Sequence, residues 1–334
     1  MEQIALIYGS IHIYWSSVLT VLAAGVAVCV YRCLMHFDGK GRGAALSVPV
    51  AILLSLVFGR LIHWYCRADQ YASLRAALTD FQTGGYVLAG VFAGCLATAV
   101  LLRVLRLSDD LPRMLDCMSV AGCGGIAVGR LACFFNGENR GMIVSKLSGL
   151  PWAWPVANPV SGTEELRLAT FFLQAVVVGV LFFGLLWFWL AGAKKPWRRN
   201  GDVCLVFLLC YGASQVILDS TRYDSLYFRS NGFVSIVQVL GACGLAVAAV
   251  VFSVRLVRHR GWRGWYLILW AALAGAIGLA GFMEYFVQRW SGKTVFGYSV
   301  MAAALSGTVA LVLLIRGFSV SAEHKKYLRQ QWEQ

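Results

Sequence analysis

Apolar positions along this chain fall in long continuous runs and do not alternate with polar ones. Mostly apolar stretches cover 14–34, 46–66, 84–105, 114–137, 168–191, 203–219, 232–253, 264–287 and 295–316. Each approaches the ~20 residues that a helix needs to cross a bilayer. The pattern predicts an all-α, polytopic membrane protein of about nine transmembrane helices. A transmembrane β-barrel is excluded, because its strands alternate apolar and polar positions. The sixth run is short and ends on Asp219, while the fourth is rich in glycine and carries Arg130.

The connections alternate in character. Those on one side are short and basic. Those on the other are longer: 67–83 (RADQYASLRAALTDFQT) reads as a short amphipathic helix or loop, 139–167 is the longest and holds LPWAWP, suited to a membrane interface, and 220–231 (STRYDSLYFRSN) is polar and aromatic. Connections of this length often carry function. No internal repeat is visible. Residues 1–253 form the expected membrane core, and 254–334 add two helices and a charged tail.

Composition agrees with the pattern. Of 334 residues, 59% are hydrophobic and 13% charged, with a mean hydropathy of +0.68, whereas soluble domains are roughly one-quarter charged. A net charge of +13 could suggest nucleic acid, but its distribution argues against that partner. Eighteen of the 29 Lys and Arg residues lie in alternate connections and the tail: Arg32, Lys40, Arg42; Arg103, Arg106, Arg113; Lys194, Lys195, Arg198, Arg199; Arg255, Arg258, Arg260, Arg263; and Arg316, Lys325, Lys326, Arg329. The positive-inside rule then puts the N-terminus outside and the C-terminus in the cytoplasm of a multi-pass cytoplasmic membrane protein. The first run lacks a basic n-region and is long enough to remain as a span, not a cleaved signal. Most of the ten cysteines lie within the runs and none forms a C-x-x-C pair, so small apolar packing is expected of them and no metal site.

Ionisable residues inside such runs are costly and mark functional sites by default. Arg60, Asp116, Arg130, Glu138, Asp219, Arg222 and Glu284 lie in or at the ends of runs. Arg60 and Asp116 could pair structurally, or Arg60 could snorkel to an interface. His63 reads as an interfacial histidine beside Trp64 and Tyr65. If the fourth helix continues far enough, its period places Arg130, Phe134, Gly137, Glu138 and Gly141 on one face. A guanidinium in such a cavity suits a phosphate through its planar, paired donors. An anionic phospholipid headgroup is one reading, and an Arg130–Glu138 lock between helices is the other. A second constellation, YGASQVILDSTRYD at 211–224, sets Gln215, Asp219 and Arg222 at helical spacing on one face. Asn136 and Arg140 end the fourth run on the same side of the membrane.

At these residues the chain resembles the prolipoprotein diacylglyceryl transferase family, whose signature reads roughly G-R-x-G-N-F-x-N-x-E-x-x-G. Gly129, Arg130, Phe134, Asn136, Glu138 and Gly141 match it in register. IALIYGSIHIYW at 4–15 is similar to the family's opening, Asp116 stands where the family has an Asp, and LPWAWP follows the signature. Tyr211, Gly212, Asp219 and Arg222 resemble its Y-G-x-x-R-x-x-x-E-x-x-R segment, and NGFVSIVQ its next helix start. The likeness covers about residues 4–253 and implies a seven-helix core, with the last two helices outside it.

The resemblance implies transfer of a diacylglyceryl group from phosphatidylglycerol to the cysteine thiol of a preprolipoprotein lipobox, with no metal or cofactor. It implies catalytic roles for Arg130, Asn136, Glu138 and Asp219, and substrate binding by Arg130, Gly141, Gln215 and Arg222. Several positions depart from the family: Leu88 stands at its His, Cys133 at an Asn, Gln215 at an Arg, Asp219 at a Glu, Ser16 at a Tyr and Gln174 at a Glu. Leu88 cannot act as a base, so altered or reduced chemistry is expected. A descendant that binds phospholipid or lipoprotein without transfer is the alternative, and an unrelated transporter a third reading that rests on span count alone.

Overall fold

Length and apolar composition fix the helices, and polar residues fix where they stop. The structure, a computed structural model, describes residues 4–8, 11–37, 41–79, 85–107, 110–144, 153–157, 163–192, 199–228 and 231–332. Lys40, Lys194, Lys195, Arg198 and the first three residues of LPWAWP lie outside the described residues.

All nine predicted runs are helices. They are α1 (Trp15–Phe37), α2 (Gly41–Cys66), α4 (Leu88–Val104), α5 (Leu111–Leu131), α7 (Thr170–Gly192), α8 (Asp202–Ser220), α9 (Ile236–Arg260), α10 (Tyr266–Arg289) and α11 (Thr294–Trp332). Among the described residues eight helical spans are long and apolar enough to cross a membrane, and α4 is a shorter apolar helix of 17 residues. Two small helices, α3 (Leu74–Thr79) and α6 (Cys133–Asn136), interrupt the connections. Among the described residues of 67–83, one turn at Ala68–Gln70 precedes the short helix α3.

Helix α5 is the hub and packs against α1, α4, α7 and α8. Its small residues allow this. Cys117, Ala121, Cys123 and Gly124 are buried along its length, which is the packing role expected of small apolar cysteines. Helix α2 pairs with α4, and α8 pairs with α9. At the α8–α9 crossing Gly212 lies against Gly241, where a Cβ on Gly212 would come within 2.3 Å of the Gly241 carbonyl oxygen. Small residues are the usual means of close helix contact in a bilayer. Helix α11 packs on α9 and α8, and α10 on α11.

The helix ends divide into two faces of the bundle. The basic connections lie on one, called here the basic face. The other, the hairpin face, carries three antiparallel two-stranded hairpins: β1 (Ile4–Tyr8) with β2 (Ile11–Tyr14), β3 (Ala153–Ala157) with β4 (Glu164–Leu168), and β5 (Tyr227–Phe228) with β6 (Asn231–Ser235). The all-α expectation holds for the spans, and the hairpins decorate one end.

Arg60 and Asp116 are each satisfied by neighbouring groups. Arg60 and Asp116 do not pair with each other in any described contact. Arg60, 2% exposed, donates to Ala77 O at 2.8 Å and Tyr71 Oη at 3.2 Å, and lies over the Tyr71 and Tyr86 rings. It is thus packed under α3 and does not snorkel. His63 Nδ1 meets the same Tyr71 hydroxyl at 2.8 Å. Asp116 reaches out of α5 to the start of α8, accepting from the backbone N–H groups of Gly201 and Cys204, both at 2.8 Å. A carboxylate there satisfies otherwise unpaired donors and complements the positive end of the helix dipole. On the same face Asp202 binds Arg255 of α9, and Arg316 of α11 at 3.2 Å.

Candidate functional site

The two polar constellations of the sequence meet at the hairpin face. Helix α5 does not run on to Gly141. It ends at Leu131, the turn of α6 follows, and Gly137 takes a left-handed φ of +72° that stops the helix. Glycine carries no Cβ penalty in that conformation. The expected helical face from Arg130 to Gly141 is therefore corrected: only Arg130 sits on the long helix, and Glu138 projects from a loop. Asn136 and Glu138 form a local turn, with Asn136 Nδ2 donating to Glu138 Oε2 and the Glu138 N–H donating to Asn136 Oδ1, both at 3.1 Å. Both residues are exposed.

The Arg130–Glu138 lock does not form. Arg130 Nη1 donates instead to Asn139 Oδ1 at 2.8 Å, and the guanidinium stands within electrostatic reach of Tyr211 of α8. Asn139 is the joint of the site. Its backbone N–H donates to Asp224 Oδ2 at 2.8 Å, and its Nδ2 contacts the Cys133 sulfur at 3.1 Å. Asp224 Oδ1 accepts from Arg222 Nε at 3.0 Å, and Arg222 Nη1 pairs with Asp219 Oδ1 at 2.7 Å. A continuous polar chain thus runs Arg130–Asn139–Asp224–Arg222–Asp219, from α5 to the end of α8.

Asp219, 1% exposed, is held from several directions. Its Oδ2 accepts from the hydroxyls of Ser235 and, at 3.1 Å, Ser225. Ser235 is also the N-cap of α9 in a reciprocal capping box with Gln238. Burial alone would lower the Arg222 pKa, but the charges of Asp219 and Asp224 outweigh it and raise the value, so the cation is secured. At Arg140 burial dominates and lowers the pKa. Its guanidinium lies over the Phe171 ring and donates to Cys133 O at 2.9 Å.

Gly141 is buried where strand-like segments meet. It bridges Arg222, and its N–H donates to Leu168 O at 2.7 Å. A Cβ there would come within 2.6 Å of Thr170 Oγ1 and 2.7 Å of Leu168 Cβ. Gln215 is buried deeper in α8, accepting from Gln174 Nε2 at 3.3 Å. Leu88 packs against the core cluster around α5. Glu284 lies apart from the chain of contacts, in α10, with Gln288 as its hydrogen-bond partner.

Asn139, Asp224, Ser225 and Ser235 are the residues that sequence reasoning missed. Only Ser235 carried a readable local signal, the S-x-x-Q spacing of a capping box before an apolar run. The others act through contacts between segments distant in the chain.

What this end of the bundle offers is a partly buried arginine held by Asn139 and Tyr211 with no carboxylate partner among the described contacts, an exposed carboxylate eight residues on, and a second arginine fixed by two aspartates. The family model described as prolipoprotein diacylglyceryl transferase matches residues 3–254. Among similar proteins, one from Finegoldia magna named phosphatidylglycerol–prolipoprotein diacylglyceryl transferase is 24% identical over 76% of this chain and 96% of its own length. A protein of the same name from Verminephrobacter eiseniae is 30% identical over 66% of this chain and 81% of its own. One from Oceanobacillus iheyensis is 23% identical over 78% and 91%. The chain is a multi-pass membrane protein and belongs to the prolipoprotein diacylglyceryl transferase family.

Proposed function

We propose that this protein transfers the diacylglyceryl group of phosphatidylglycerol to a lipobox cysteine thiol of a preprolipoprotein. In that reaction the sulfur bonds to the glyceryl carbon, the carbon–oxygen bond to phosphate breaks, and glycerol phosphate leaves with the electron pair. The observation that carries the reading is the polar chain from Arg130 to Asp219, which fixes two guanidinium groups at one end of an apolar bundle. A phosphate leaving group needs positive charge where negative charge develops.

The contacts suggest a division of labour. Arg130 is the primary phosphate ligand, because its fork is not filled by carboxylates. Arg222 gives Nε and Nη1 to Asp224 and Asp219, so it contributes through its remaining Nη2 and by its charge. Asp219, enclosed by Ser225, Ser235 and Arg222, orients and does not shuttle protons. Glu138 is exposed and aligned by Asn136, and takes the thiol proton in place of the family's histidine, where Leu88 stands. Gly141 and Gln215 shape the cavity and make no polar contact with lipid. No metal or cofactor is required. The basic face is cytoplasmic by the positive-inside rule, which puts the site at the outer side of the membrane.

The test is incubation of the purified full chain with phosphatidylglycerol and a lipobox peptide, followed by mass analysis of both products. A diacylglyceryl-modified peptide and free glycerol phosphate are expected. Tight co-purification of phospholipid with no modified peptide would instead assign the chain as a binding descendant, with Leu88 the reason that chemistry is lost.

A further inference from the structure

Two helices lie beyond the family match, and their hairpin-face edge touches the site's supports. Tyr298 of α11 donates its hydroxyl to the backbone carbonyl of Ser220 at 3.1 Å, and the Ser220 hydroxyl donates to Tyr298 Oη at 3.4 Å. Ser220 follows Asp219 directly. Gln288 of α10 donates through Nε2 to Phe233 O at 2.9 Å and to Glu284 Oε1 at 2.8 Å. Phe233 lies in β6, two residues before the Ser235 whose hydroxyl binds Asp219. Glu284 is 7% exposed, and its Oε2 is buried without a hydrogen-bond partner. Burying a carboxylate so incompletely satisfied is costly. It lies within electrostatic reach of Tyr298 of α11 and Tyr227 of β5. The Tyr227 pKa is raised by burial first, then by the charges of Asp219 and Glu284. Both carboxylates therefore lie within electrostatic reach of the same tyrosine.

We propose that Glu284, Gln288 and Tyr298 are positioning residues that brace the Asp219–Arg222 pair, so that α10 and α11 take part in the reaction. The brace grips the two backbone segments that enclose Asp219: the end of α8 and the strand leading to Ser235. Glu284 orients the Gln288 amide so that the other N–H meets Phe233. This rests on the function proposed above only where activity is the readout. A site held slightly out of place loses up to about 10²-fold in rate, and a single hydrogen bond is worth roughly two- to tenfold.

The experiment uses the full chain in lipid nanodiscs containing phosphatidylglycerol, with a lipobox peptide as acceptor. Tyr298→Phe, Gln288→Ala, their double variant, Glu284→Ala and Glu284→Gln are compared for kcat, KM, thermal midpoint and backbone hydrogen exchange over 221–238. The double variant is expected to lose about tenfold in kcat, with KM for phosphatidylglycerol within twofold because Arg130 is untouched. Exchange over 221–238 should quicken. Glu284→Gln keeps an oxygen for Gln288 and should retain activity, whereas Glu284→Ala should follow Gln288→Ala. Ser299→Ala, on the same helix but bonded only to its own turn, should behave as wild type. Unchanged exchange over 221–238 in the double variant overturns the brace, whatever happens to kcat. If wild type transfers nothing, the proposed function fails while the exchange comparison still decides the brace. If the double variant unfolds, Tyr298→Phe alone, which removes one oxygen, decides by the same readouts.

Discussion

Arg130 shows how much one side chain's surroundings decide. Arg130→Lys keeps the charge but loses the planar fork that would let one side chain hold Asn139 and the proposed phosphate together. It is expected to reduce phospholipid retention and transfer nearly as much as Arg130→Ala, measured as bound phosphatidylglycerol per folded protein and as modified peptide. Equal retention in Arg130→Ala would remove the phosphate role. The two carboxylates are expected to separate cleanly. Glu138→Gln should lower transfer by the ~10²–10⁴-fold typical of a lost general base with the thermal midpoint unchanged, because the residue is exposed. Asp219→Asn should lower the midpoint as well, since Ser225, Ser235 and Arg222 all converge on its oxygens. Arg130 was legible in the sequence because a cation in an apolar run is rare. Asn139 and Asp224 were not, since a short polar residue in a loop looks the same whether it faces water or joins two helices 85 positions apart.

The helices were readable from length and hydrophobicity, their ends less so. A strict 3.6-residue period carried α5 through Gly137, and the left-handed backbone there was invisible to periodicity. The hairpins were equally hidden, because two- to five-residue strands are too short to show alternation against an apolar background. The departure from helix matters for the segment that follows: it lets Gly141 bridge Arg222 and Ile143 bridge Arg167. Gly141→Ala should therefore cost about 1–3 kcal/mol of stability by overpacking and loosen the bridge to Arg222. Thermal unfolding of the detergent-solubilised variant checks the first effect and transfer activity the second. A midpoint equal to wild type would mean that Leu168 and Thr170 yield without cost.

Across the whole molecule, alternation of basic connections was the most informative signal, and it divides the helix ends consistently into a basic and a hairpin face. Single cysteines placed in a cysteine-free background at position 146, in the hairpin-face connection, and position 326, in the tail, are expected to label from outside and only after permeabilisation, respectively. Labelling of position 326 in intact cells would invert the bundle and put Arg130 on the wrong side for an exported acceptor. The tie between Asp202 and its two arginines has a further consequence, in time. Arg255 lies in α9 and Arg316 in α11, so the carboxylate at the start of α8 is synthesised well before its second cation. Until the ribosome has passed Arg316, Asp202 has the Arg255 pair that balances its charge, while its other oxygen waits for the second arginine. A chain cut short before Arg316 would keep the α8–α9 pair and lose the α8–α11 contact, so the order of synthesis fixes the order in which the ties at Asp202 can close.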